Sequence, residues 1–128
     1  MKDKKEMLLA YIKTNVAPVL VPFMLASNFS NAIVLPANTM LTELNGHYEN
    51  IEFVPPKWYN DLLNTKGNKY LIIDKIDTIS KEKQKKFIEI LKYRKISTFR
   101  LPSDCRIIIT VNEVDKVDKE ILSLVAMI

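Results

Sequence analysis

The residues best placed to do chemistry close two apolar runs. Tyr-Leu-Ile-Ile ends in Asp74, with Asp77 three residues further on, and Ile-Ile-Ile-Thr-Val ends in Asn112. An aspartate at the carboxyl end of a buried strand can hold Mg²⁺ through water, and an asparagine on a neighbouring strand end can hydrogen-bond a water or a phosphate. The same residues suit structural roles equally, Asp74 as a turn or helix-capping acid and Asn112 as the start of a loop. A second group is cationic. Between residues 81 and 95, Lys81, Lys83, Lys85, Lys86, Lys92, Arg94 and Lys95 face only Glu82 and Glu89. Such a run can meet phosphate backbones or an acidic protein partner, or form the solvated face of a helix. Nucleophilic catalysis finds little support: Cys105 directly precedes the strand-like run Arg106 to Val111, and the one histidine, His47, falls in a stretch read as loop.

One compact domain must position these groups, because 128 residues, 48% of them apolar, can fill one core and not two. Residues 1–64 carry 5 basic and 6 acidic groups and residues 65–128 carry 14 and 9, so the net charge of +4 belongs to the second half. The single cysteine excludes an internal disulfide and a zinc cage of several thiolates, which suits a reducing compartment. The longest apolar stretch, Val16 to Ala26, contains Pro18 and Pro22 and falls short of the roughly 20 residues a membrane helix needs. Neither a membrane partner nor a secretory leader is expected, and the expected location is cytoplasmic.

Lys2 to Thr14 carries Met7, Leu8, Tyr11 and Ile12 at helical spacing, which predicts an N-terminal helix within residues 1–15. Val19 to Leu25, Ala32 to Leu35 and Ile51 to Val54 read as strands, and Asn45-Gly46 as a turn. Pro55-Pro56 opens a helix from Lys57 to Leu63 with Trp58, Leu62 and Leu63 on one face. Tyr70 to Asp74 suits a strand covered on both faces. Ser80 can cap a helix reaching about Tyr93, whose buried stripe is Phe87, Ile88 and Leu91. Arg94 to Pro102 reads as irregular or hairpin-like, Arg106 to Val111 as a strand, and Lys119 to Val125 as helical. Strands alternating with helices predict an α/β domain with a mostly parallel sheet.

Order and spacing then carry a family resemblance over residues 18–125. Phe53-Val54-Pro55-Pro56-Lys57-Trp58, the run Tyr70 to Asp77, the helix through Gln84 and Leu91, Leu101-Pro102, and Ile107 to Asn112 follow one another as in AAA+ ATPases. The MoxR-like branch is the most similar. The resemblance implies a three-layer αβα domain of the P-loop NTPase kind, with Asp74 as the magnesium-side acid of the Walker B strand and Asn112 as the sensor 1 residue.

The departures concern catalysis. The stretch Pro22 to Asn31 stands where the family has its glycine-lysine phosphate loop, and it contains no glycine and no lysine. Glycine allows backbone amides to wrap a triphosphate, and the lysine neutralises its charge. Lys75 occupies the position of the catalytic glutamate, leaving Asp77 as the nearest acid, and Leu124 falls where relatives carry an arginine finger. The family's helical lid is not expected within residues 1–128. The phosphate loop thus reads as lost, and the expectation is a degenerate AAA+-like scaffold for a protein partner such as an active AAA+ subunit, with no cofactor and no ATP hydrolysis. Two alternatives remain: an atypical ATPase that uses ATP and Mg²⁺ through Asp74, Asp77 and Asn112, and nucleic-acid binding through Lys81, Lys85, Lys86, Lys92, Arg94 and Lys95.

Overall fold

The computed structural model describes residues 18–22 and 32–127. The helix expected at 2–14, the end of the first strand at 23–25 and most of the Pro22 to Asn31 stretch lie outside the described residues. Five strands form one sheet: β1 (Val19–Pro22), β2 (Ile33–Pro36), β5 (Lys69–Asp74), β8 (Cys105–Val111) and β9 (Ala126–Met127). Their order across the sheet is β2-β5-β8-β1-β9, and every pairing is parallel. The β-branched runs Ile72-Ile73 and Ile107-Ile108-Ile109 occupy the two central paired strands, where both faces are covered.

Side chains alternate between those faces. Leu20, Leu35, Leu71, Ile73, Ile107 and Ile109 join Leu44, Trp58, Leu62, Phe87, Ile90 and Ile121 from the helices in one core cluster. Val19, Val21, Ile72 and Ile108 are buried outside that cluster. Burying each such aliphatic side chain is worth about 1.5–3 kcal/mol relative to exposure.

The helices are short: α1 (Leu41–Asn45), α2 (Lys57–Leu63), α3 (Lys81–Gln84), α4 (Ile88–Tyr93) and α5 (Lys119–Ser123). A 3₁₀ turn, Lys85–Phe87, links α3 to α4. Ser80 caps α3 by accepting a hydrogen bond from the Lys83 amide at 3.2 Å. Of the expected stripe, Phe87 and Leu91 are buried and Ile88 is half-buried, with Ile90 and Gln84 the additional buried residues. On α2 the buried residues are Trp58, Tyr59 and Leu62, while Leu63 is exposed, contrary to expectation. At 100° per residue Leu62 and Tyr59 fall within about 100° of Trp58, whereas Leu63 lies further round.

Two small hairpins flank the sheet. His47–Glu49 (β3) pairs with Glu52–Val54 (β4), and Lys95–Ile96 (β6) with Phe99–Arg100 (β7). His47 therefore sits in a strand, not in a loop. Gly46, expected in a turn, ends α1 at φ 81°, and the hairpin itself reverses at Asn50, φ 57°. Tyr48, Phe53, Phe99, Tyr59 and Trp58 form a relay of ring contacts that joins both hairpins to α2. The Trp58 indole donates to the Leu44 carbonyl at 2.9 Å. The Phe53 to Trp58 motif is thus an architectural clasp. The end of the chain also differs: α5 stops at Ser123, and β9 adds to β1.

Candidate functional site at the carboxyl rim

Parallel strands bring their carboxyl ends to one rim, and the strand order marks a place on it suited to a ligand. β1 and β8 are neighbours whose onward connections run in opposite directions, toward β2 and toward β9. Open α/β sheets bind ligands outside the strand ends at such a reversal. Asn112 directly follows β8 there and is exposed, and Asp74 closes the next strand. The two residues picked out by the sequence therefore lie on adjacent strand ends, although they are 38 positions apart.

Thr110 is fully buried, and its hydroxyl joins these strands by donating to Asp74 Oδ1 at 2.7 Å and accepting the Lys75 amide at 2.7 Å. Thr110 is not among the candidate site residues that the sequence suggests. A hydroxyl within the aliphatic run Ile107 to Val111 was the available signal, since a buried hydroxyl must find partners. Lys75 adopts the left-handed conformation, φ 55° and ψ 54°, which costs a non-glycine residue about 1–2 kcal/mol. Its carbonyl accepts both the amide and the hydroxyl of Thr78, at 3.0 and 2.7 Å, and these bonds hold the turn.

Asp77 turns back to the end of β8. Its Oδ1 accepts the Asn112 amide at 3.1 Å and its Oδ2 the Glu113 amide at 2.9 Å. Both carboxylate oxygens thus fix the backbone that carries Asn112. Asp77 also lines a recess of about 290 Å³ with Ser80, Lys81, Asp115 and Lys116, at the lower limit of the roughly 300–1,000 Å³ typical of ligand pockets. Behind it, the buried Gln84 donates to the carbonyls of Ile79 (3.0 Å) and Lys116 (2.8 Å) and accepts the Asp118 amide at 2.7 Å. Among the described residues no group of three or more His, Cys, Asp and Glu side chains is gathered for a metal ion. Asp74, the acid for which the resemblance implies a magnesium role, has one of its oxygens bonded to Thr110.

The basic run divides in two, because a helix that starts past the carboxyl end of β5 runs back to the amino end of the sheet. Lys81 and Lys83 stay exposed at the carboxyl rim, with Lys85 paired to Glu82 at 3.4 Å. The Lys86 ammonium donates to the Thr39 carbonyl at 2.6 Å; burial, with Lys83 nearby, lowers its pKa from the ordinary lysine value. Arg94 is turned inward to the carbonyls of Pro102 (3.1 Å) and Cys105 (2.7 Å). Lys92 and Lys95 lie at the opposite end, over the Tyr93 ring. Cys105 is buried at the start of β8, and burial pushes its thiol up to about 11, which opposes nucleophilic use at neutral pH.

No family model matches the chain, and no curated protein matches it. Among solved structures, the chain is similar to NtrX from Brucella abortus at 15% identity and a TM-score of 0.51, over 98% of this chain and 35% of that one. The chain therefore spans about a third of that neighbour's length, and the likeness concerns the α/β fold alone. No helix among the described residues is long and apolar enough to cross a membrane.

Proposed function

We propose that the chain is a degenerate AAA+-like domain of the P-loop NTPase kind that acts as a scaffold for a protein partner, an active AAA+ subunit being the partner the resemblance suggests, and does not hydrolyse ATP. One observation carries this reading: both oxygens of Asp77 and one oxygen of Asp74 are committed to architecture. Thr110 holds Asp74, both oxygens of Asp77 hold the backbone at Asn112 and Glu113, and Lys75 stands where the resemblance expects the catalytic glutamate. A water-activating carboxylate needs a free oxygen directed at bound substrate. Pro22 to Asn31 also lacks the glycines and the lysine of a phosphate cradle.

A second reading, an atypical nucleotide binder, draws on the adjacent placement of Asp74 and Asn112 beside the reversal at β1 and β8. Titration calorimetry of the full chain with ATP and Mg²⁺ separates the two. The scaffold reading expects no saturable heat. Saturable binding that disappears in Asp74→Ala would replace it with the nucleotide-binding reading.

A further inference from the structure

The amino end of the sheet holds a patch that the rim chemistry does not use. Tyr93 closes α4 and is 56% exposed. The ammonium groups of Lys92 and Lys95 lie over that ring, 5.4 and 5.8 Å from its centre. Arg100 is exposed and stands directly opposite Lys95 in the β6–β7 ribbon. Like charges directly opposite one another destabilise a strand pair. None of the ion pairs among the described residues relieves this one. The nearby acid, Glu89, accepts the Ser97 amide at 3.1 Å at the ribbon's tip. Two cations therefore lie over one exposed ring, and a third, Arg100, stands across the ribbon from one of them.

We propose that Lys92, Tyr93, Lys95 and Arg100 form a binding surface for single-stranded nucleic acid. Cations spaced around a ring fit a flexible phosphate backbone, while an aromatic face can stack an unpaired base and has no comparable use against a closed duplex. A bound strand also removes the repulsion between Lys95 and Arg100. The bidirectional split of the basic run makes the proposal specific: it assigns binding to the amino end and leaves Lys81 and Lys83, at the other end of the helix, without a role. It goes beyond the scaffold reading and does not depend on it, since nucleotide calorimetry probes the opposite rim.

Fluorescence anisotropy with a labelled 20-nucleotide oligothymidylate, at 50 and 200 mM salt, tests it on the full chain. Wild-type protein is expected to bind, with affinity falling steeply as salt rises. Lys92→Glu with Lys95→Glu should weaken binding at least tenfold and reduce the salt slope by about two. Tyr93→Ala should weaken it about tenfold with the slope retained. Lys81→Glu with Lys83→Glu should bind as wild type does. All four positions of the charge variants are exposed or half-buried, and circular dichroism checks that the variants fold. Failure of wild-type binding at 50 mM salt, or equal losses in the two charge-reversal pairs, would overturn the proposal. So would binding to phosphatidylserine vesicles in the absence of oligonucleotide binding, which would assign the patch to a lipid surface.

Discussion

Thr110 shows how much of the rim depends on a single hydroxyl. It is fully buried and bridges the Asp74 carboxylate and the Lys75 amide. Thr110→Val keeps the shape but leaves the amide and a carboxylate oxygen without their partner, and a buried unsatisfied group costs about 1–3 kcal/mol. Urea unfolding should show a loss of that size, and an unchanged midpoint would mean that water replaces the hydroxyl freely. Cys105 offers a pH test. Its thiol titrates near 9.0 in an unfolded chain and near 11 in the fold, first because burial disfavours the thiolate. The folded state therefore holds the proton more tightly. This contribution is fully present below pH 9 and is lost as pH rises from 9 to 11, with a limiting slope of about 1.4 kcal/mol per pH unit. The stability difference between wild type and Cys105→Ala, followed by urea unfolding from pH 8 to 10.5, should shrink over that interval. A flat difference would show that the thiol ionises as readily inside the fold as outside it.

At the scale of elements, the sequence was most legible where one rule acted alone. Tyr70 to Asp74 and Arg106 to Val111 are built on the aliphatic runs Leu71 to Ile73 and Ile107 to Ile109, and both are strands within one residue of those limits. Ser80 could be recognised as a cap because the preference of serine for that place is local. In the first hairpin Ile51 to Val54 reads as a strand and β4 is one, but β3 was harder to find, since three residues are too few to establish a period and the reversal at Asn50 has no Asn-Gly signature. Asp77 was visible as an acid, but its grip on Asn112 and Glu113 depends on how β5 and β8 lie beside each other, 35 residues apart. Gly46 was visible as a turn former, yet it owes its place to a tertiary contact. A methyl group there would stand 2.4 Å from the Val54 carbonyl oxygen and 2.9 Å from the Phe53 ring, at a φ of 81°. Gly67 has nearly the same φ, 80°, and open space around it. Gly67→Ala should therefore cost only the backbone penalty, about 1 kcal/mol, and Gly46→Ala clearly more, with a changed near-ultraviolet dichroism signal from the aromatic relay. Equal melting temperatures for the two variants would mean that the hairpin gives way without cost.

For the whole molecule the question is whether a working site can be recovered by restoring one residue. Lys75→Glu returns an acid to the position that the AAA+ resemblance assigns to the catalytic glutamate. We predict that it does not create ATP hydrolysis. The backbone at residue 75 is held in the left-handed conformation by the bonds to Thr110 and Thr78, so the new carboxylate would leave from a turn already fixed in place. General-base help is worth about 10² to 10⁴ in rate, and it acts only on a bound triphosphate. Binding one needs a cradle of backbone amides and a cation, and Pro22 to Asn31 supplies neither glycine nor lysine for it. Asp77 cannot substitute as the water-orienting acid while both its oxygens hold Asn112 and Glu113. A glutamate beside Asp74 adds negative charge to a rim that must then receive more negative charge, so without a magnesium ion already held it opposes nucleotide approach. Phosphate release by purified Lys75→Glu protein should match the wild-type background. Release well above it, and lost again when Asp74→Ala is added, would show that the rim retains a nucleotide site and that the scaffold reading is wrong.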